Sequence, residues 1–489
     1  MARKLYVLLL LIAAGCGLIG GQTSLTLDQA ISRARAGSVD AAVALDQLRS
    51  AYWAYRSYRA SLLPELSFTA TLPSYSKQYS TYMDASGDYS FVASHVMELQ
   101  GRLSIDQNIW LTGGTVSVST QLNFLRQFSG TPYSRFMTIP LALTLNQPLF
   151  AANTVKWDRR IEPLRYREAQ AAYLSATEDV AINAIQLYFT LLVARENLSI
   201  AAQNLSHATK LHEVAIEKRE MGIISKNDLL QMELNLLDAR SAMTETESEL
   251  RNARFRLATF LDLGDDLSEI LTTVPEEIPE ADISFEAAYA KALDNNKFAH
   301  TQARTMLEAD YAVATARGEM RKINLFAQIG FTGTADEMGA AYGTLRDNQL
   351  VQVGIEIPLV DWGRRRGRVR VAESNREVTR SRLRQEARTF RQDIFMLVER
   401  YANQREQLRI ARQADSIAAR RYATNVETYL TGRLSTLDLN DSRVTKDQTR
   451  REYFNELYLY WLYYYQLRSL TLWDFATSSP IDADFDSLM

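Results

Sequence analysis

The sequence predicts an α+β membrane protein built as a tandem repeat, each copy holding a helix, a set of strands and a long helical hairpin. Three observations carry this. Asn146-Gln147-Pro148-Leu149-Phe150 matches Glu356-Ile357-Pro358-Leu359-Val360, and Gly222-Ile223-Ile224-Ser225-Lys226-Asn227-Asp228-Leu229 matches Gly432-Arg433-Leu434-Ser435-Thr436-Leu437-Asp438-Leu439, both at an offset of 210 residues. Ahead of each proline lie segments that alternate strictly between apolar and polar residues, the period of a strand with two unlike faces. After each proline comes a breaker-poor stretch of about 60 residues, long enough for a helix of roughly 100 Å at about 1.5 Å per residue. Such a helix needs a coiled-coil partner, because no compact core is that long.

At the start of the chain, Arg3 and Lys4 precede the apolar run Leu5 to Ala14 and then Gly15-Cys16. A charged head followed by an apolar run too short to span a membrane is an export signal. Residues 1–16 are therefore expected to be a signal peptide. Ala13-Ala14-Gly15-Cys16 resembles a bacterial lipobox with Cys16 as the lipidated first mature residue; an ordinary signal peptide is the alternative. No other segment reaches the ~20 apolar residues of a spanning helix. If the exported chain enters a membrane, it must do so as a β-barrel.

The first copy is expected over 25–265 and the second over 280–475, with a tail at 476–489. Leu27-Asp28-Gln29-Ala30 pairs with Phe285-Glu286-Ala287-Ala288, and Phe68 with Phe326, both at an offset of 258. Since 258 exceeds 210 by 48, the first copy carries 48 extra residues before its proline. Opening helices are predicted at about 26–62 and 284–320. Strands follow at about 66–149 and 323–359. Leu66, Phe68, Ala70 and Leu72 alternate with Ser67, Thr69 and Thr71; Leu141, Leu143 and Leu145 alternate with Ala142, Thr144 and Asn146. Ile323, Leu325, Ala327, Ile329 and Phe331 form one face of a strand in the second copy, and Val351, Val353, Ile355 and Ile357 one face of another. This is the pattern of a barrel wall between lipid and water, and equally of a soluble sheet with one face on a core. The extra residues repeat it: Leu99, Leu103 and Ile105, then a turn at Leu111-Thr112-Gly113-Gly114, then Val116, Val118, Leu122 and Phe124. They are either two further wall strands or a hairpin outside the wall.

Helical hairpins are expected at about 155–262 and 365–472, with arms free of interior breaks and tips at Gly222 and Gly432. Glycine supplies the turn, and Ser225 or Ser435 can cap the returning helix. Leu230, Leu234 and Leu237, and Ile410, Ala414 and Ile417, keep a narrow stripe at helical spacing. The aromatic run Tyr458, Tyr460, Trp461, Tyr463, Tyr464 and Tyr465 fits packing between helices.

Composition removes whole classes of function. A net charge of −3 carries no nucleic-acid signature. One cysteine allows no internal disulfide. The four histidines, His95, His207, His212 and His300, stand in no metal-ligand spacing. No nucleophile–base pair is apparent, so no enzyme, cofactor or metal site is expected.

Helix, strands and helical hairpin, done twice, with Q-P-L-F and I-P-L-V at strand ends and G-x-x-S-x-x-D-L at hairpin tips, resemble the TolC-like family of outer-membrane efflux proteins over about residues 25–475. The resemblance implies a homotrimer whose strands, normally four per chain, form a β-barrel in outer-membrane lipid. It also implies a periplasmic α-helical tunnel docked on an adaptor and an inner-membrane pump. In such proteins two aspartates six and nine residues after the second tip glycine face the mouth; here these are Asp438 and Asp441. Their position as i, i+3 neighbours puts them on one helix face, and a ring of carboxylates selects cations. The resemblance further implies a latch at Asp228 and Tyr429. The family's latch arginine is replaced by Leu434, with Arg433 one residue earlier. The tips Gly222, Ser225, Gly432 and Ser435 would meet the adaptor. The implied role is an exit duct for drugs or small toxic compounds, with an outlet for type I protein secretion as the alternative. A coiled-coil envelope scaffold without a channel is a second alternative.

Overall fold

A computed structural model describes residues 24–83, 86–263, 270–275, 277–356, 360–430, 433–434 and 436–489. Two compact units divide the chain: one takes residues up to 48 with 170–296 and 389–489, the other 49–169 with 297–388.

The second unit holds a six-stranded antiparallel sheet. Its strands are β2 (Glu65–Met83), β3 (Tyr89–Asn108), β4 (Thr115–Gln127), β5 (Tyr133–Pro148), β7 (Lys322–Ala335) and β8 (Leu345–Glu356), paired in that order. The 48 extra residues thus become β3 and β4, inserted between the strands that hold Phe68 and Pro148. In the second copy the corresponding strands, β7 and β8, pair directly. Register breaks fall between Thr71 and Ser74, and between Thr138 and Leu141. Pro73 and Pro140 sit inside these breaks. A proline has no N–H for the ladder, so it belongs at a bulge or an edge. The last seven pairs of β2 with β3, Lys77↔His95 to Met83↔Tyr89, run past the end of β4.

The first unit is mainly helical. The two-residue strands β1 (Ser24–Leu25) and β6 (Leu271–Thr272) pair in parallel ahead of α1 (Leu27–Gly37) and α5 (Phe285–Asn295). Residues of this unit also come from α2 (Val39–Ala60), α3 (Thr154–Glu220), α4 (Lys226–Phe260), α8 (Arg364–Leu430) and α9 (Thr436–Thr471). The helix α6 (Lys297–Gly318), the short α7 (Met338–Gly343) and the starts of α3 and α8 belong to the sheet unit.

Tyr188, Phe189, Tyr401, Phe454, Tyr460 and Tyr464 fill the helical core, and each buried hydroxyl has a partner. Tyr188 donates to the Thr273 carbonyl (2.6 Å) and accepts from its N–H (3.0 Å). Tyr401 donates to the Tyr460 hydroxyl (2.9 Å), and Tyr460 to the Pro279 carbonyl (2.6 Å). The aromatic run at 458–465 is therefore helix packing. Beside it Glu178, 1% exposed, is clamped by Arg35 and by Arg468 (3.1 Å), and Arg468 also holds Asp474 (2.9 Å).

One expectation needs correcting. The arm at 155–221 is not free of interior breakers: Pro163 lies inside α3, which runs unbroken for 67 residues. It costs the helix one hydrogen bond, lost among the many that a helix of this length keeps.

Candidate functional site: a two-faced sheet and the hairpin tips

The sheet has two unlike faces. Leu66, Ile105, Val118, Leu143 and Ile329 stand side by side across five strands. They are 65%, 45%, 37%, 48% and 57% exposed. In the neighbouring row, on the opposite face, Ser67, Ser104, Ser119, Ala142 and Gly330 follow one another. Here Ser104, Ser119 and Ala142 are 9%, 7% and 3% exposed. The polar face is knit together: Ser67 and Ser104 hydroxyls lie 2.8 Å apart, Ser104 donates to Asp106 at 3.0 Å, Ser117 donates to the other Asp106 oxygen, and Arg102 reaches Ser119 at 3.4 Å. In a water-soluble sheet the apolar face packs on a core. This one turns its apolar face outward and satisfies its polar groups on the sheltered side, the arrangement a barrel wall needs in lipid. Among the described residues, no helix is long and apolar enough to cross a membrane.

The tips belong to the helical unit. Gly222 adopts φ +74°, where any side chain would be strained. Ser225 then caps α4: its hydroxyl accepts from Asp228 N–H (3.1 Å), and the Asp228 carboxylate accepts from Ser225 N–H (3.0 Å) and Oγ–H (2.8 Å). These hydrogen bonds hold the Asp228 carboxyl below its ordinary range. Asp228 is thus engaged with its own helix start. At the second tip Gly432 and Ser435 lie outside the described residues, as does the side chain of Tyr429. Cys16 lies outside them too. Arg433 is exposed.

Asp438 stands in the first turn of α9, and Asp441 follows on the same face. Asp441 pairs with Arg421 of α8 at 2.9 Å. Further along the hairpin, Arg450 of α9 bridges Glu196 of α3 (2.8 Å) and Asp415 of α8 (3.0 Å). Asn204 donates to Asp447 at 3.0 Å, and His207 Nδ1 lies 3.1 Å from the Tyr422 hydroxyl. Partial burial, then Lys446, Lys210 and Arg443, push the His207 pKa down. Arg421, Asp415, Tyr422 and Arg450 were not singled out from sequence, although a signal was there. Arg421 lies 11 residues before Gly432 and Asp441 nine after; Asp415 lies 17 before and Arg450 18 after. Antiparallel arms bring such mirror positions together. No group of three or more His, Cys, Asp or Glu side chains among the described residues could hold a metal.

The model of the outer membrane efflux protein family matches residues 112–262 and 291–471, one segment in each copy. The chain belongs to that family. Its members are outer-membrane channels rather than enzymes, and the alternative of a channel-free scaffold falls away. The match enters the first copy only at the turn between β3 and β4, whereas in the second it begins within α5. Solved structures of the same fold include the Campylobacter jejuni CmeC outer membrane channel, 17% identical, with a TM-score of 0.67 over 94% of this chain and 88% of that one. VceC of Vibrio cholerae is 14% identical, with a TM-score of 0.62 over 93% and 97%. The open state of the Neisseria gonorrhoeae MtrE channel is 14% identical, with a TM-score of 0.57 over 94% and 90%. No curated protein matched the chain. An outer membrane efflux protein needs a wall facing lipid and a helical part in the periplasm, and the sheet and the paired hairpins supply the two.

Proposed function

We propose that three copies of this efflux protein close a barrel in the outer membrane and extend their helical hairpins into the periplasm. The channel then serves as a passive exit duct for drugs or small toxic compounds, received from an inner-membrane pump through a periplasmic adaptor. The observation that carries this reading is the exposed apolar face set against a bonded polar face. The shortest strand of the six-stranded sheet, β8, has 12 residues. At about 3.4 Å per residue and a tilt of about 40°, it rises about 31 Å, close to the ~30 Å hydrocarbon thickness. In this reading Asp438 and Asp441 ring the periplasmic mouth as a cation filter. Asp228, Tyr429 and Arg433 act as a latch, with Arg421 holding Asp441 when the mouth is shut. Gly222, Ser225, Gly432 and Ser435 meet the adaptor, and Cys16 carries a lipid anchor.

The first test is conduction in planar bilayers, where purified protein is expected to form cation-preferring pores. Asp438→Ala combined with Asp441→Ala should abolish the preference; an unchanged preference would remove these residues from the filter. On the wall, Leu143→Arg should cost about 2–4 kcal/mol at membrane mid-depth and deplete assembled protein, whereas Thr144→Arg on the opposite face should assemble. Equal loss from both would contradict the lipid assignment. For the cargo, a strain lacking the gene should become sensitive to toxic compounds. Normal resistance with a lost secreted protein would favour type I secretion instead.

A further inference from the structure

From the sheet we infer that the two strands peculiar to the first copy are part of the wall, so that three chains close a barrel of eighteen strands. This rests on the trimeric channel proposed above and adds the width of its exit.

Three observations support it. First, β4 is paired along its length on both sides, with β3 and β5, and β3 pairs with β2 over Tyr89–Asp106 and with β4 over Val96–Asn108. A hairpin standing outside a wall would leave β2 to pair with β5, as β7 pairs with β8 in the second copy. Second, both inserted strands carry the wall's two faces. Ile105 and Val118 continue the apolar row from Leu66 to Leu143, and Ser104 and Ser119 continue the polar row from Ser67 to Ala142. A one-residue slip would reverse every side chain, so this agreement over four strands places the insertion in the same membrane layer as its neighbours.

Third, the edges suit further copies of the same chain. The sheet ends in β2 on one side and β8 on the other. Each edge presents unpaired backbone groups, which lipid cannot satisfy. Six alternating strands leave the two edges running in opposite senses, so β8 of one copy meets β2 of the next antiparallel, and the alternation continues around a ring. Strands spaced about 4.8 Å apart and tilted about 40° give a backbone diameter of about 36 Å for eighteen strands. A chain made of two second copies would supply four strands, twelve in a trimer, and about 24 Å by the same relation. The extra hairpin therefore widens the exit by half and suits it to bulkier cargo than a twelve-stranded exit would pass.

The test is electron cryo-microscopy of the full chain in lipid nanodiscs, sectioned across the barrel. The expected section is a three-fold ring of eighteen strands about 36 Å across. Twelve strands with Tyr89–Gln127 lying off the ring would overturn this inference and leave the trimeric channel standing. A section without three-fold symmetry would overturn both. In support, replacing residues 84–131 by a two-residue turn should narrow the ring to about 24 Å. A variant ring as wide as the wild-type one would refute a wall role for β3 and β4. If that variant fails to assemble, the wild-type strand count decides alone.

Discussion

At the scale of single residues, the ion pairs near the hairpin tips are individually weak. Arg421 and Asp441 are 50% and 63% exposed, and an exposed pair contributes under about 1 kcal/mol. One pair cannot hold the proposed mouth closed, but in the proposed trimer its repetition in every copy would bias it. Arg421→Ala is therefore expected to raise open probability modestly in single-channel recordings, with the difference shrinking in high salt as screening removes the attraction. A salt-independent effect would point to packing. His207 adds a pH term of definite sign. Its folded pKa is lowered, so the folded contact binds fewer protons than the free side chain. Stability from this site is present above the ordinary histidine value of about 6.5 and is lost as pH falls below it. Amide protection around residues 204–211, taken relative to the intrinsic exchange rate at each pH, should therefore fall at mildly acid pH, and His207→Phe should flatten that dependence. Glu178 is the opposite case, buried and doubly clamped. Glu178→Ala leaves Arg468 without its main counter-charge in a dry site and should cost about 3 kcal/mol, visible as a lower melting temperature of the solubilised protein. A shift of less than a degree would mean that Asp474 alone satisfies Arg468.

At the scale of elements, what could be read from the sequence depended on whether a local period decides the matter. Strand alternation shows which side chains share a face, and the faces of β2, β5, β7 and β8 follow the alternation seen in Leu66–Leu72, Leu141–Leu145, Ile323–Phe331 and Val351–Val353. The fold class was legible on that basis. Alternation does not say which strand a given strand pairs with, so the place of β3 and β4 stayed open until the register was seen. The tips show the same limit: the turn glycine and capping serine are local signals, while the partner of Asp441 depends on how two arms align over 20 residues. The break at Pro140 shows a strand adjusting to its neighbour. Beside it, Gly330 of β7 crosses so close to β5 that a β-carbon would come within 2.4 Å of the Leu141 carbonyl oxygen. Backbone cannot give way there as a flexible side chain would. Gly330→Val should part the two strands and reduce the assembled band on a semi-native gel, whereas a valine at Gly87, with nothing within 4 Å, strains only its own backbone and should assemble. Equal yields from both would mean that β5 and β7 can separate at no cost.

At the scale of the whole molecule, the two units draw their stability from different sources. The helical unit buries its own core, from Leu25 through Tyr188 and Phe454 to Leu467. The sheet unit leaves its apolar side exposed, from Phe68 at 71% to Val351 at 71%, and ends in two unpaired edges. Burial of apolar area is the main favourable term in folding, and for this sheet it becomes available only when lipid covers the face and other copies cover the edges. Refolding of the full chain from denaturant should then divide according to solvent. In plain buffer, the helical signal in far-ultraviolet circular dichroism should return while the heat-modifiable oligomer band stays absent. On addition of micelles or vesicles, strand signal and oligomer band should rise together, because an open sheet edge in lipid is unsatisfied until a neighbour arrives. A stable strand signal from monomers in plain buffer would show that the sheet is stabilised from within the chain, and the exposed face would then need an explanation other than lipid.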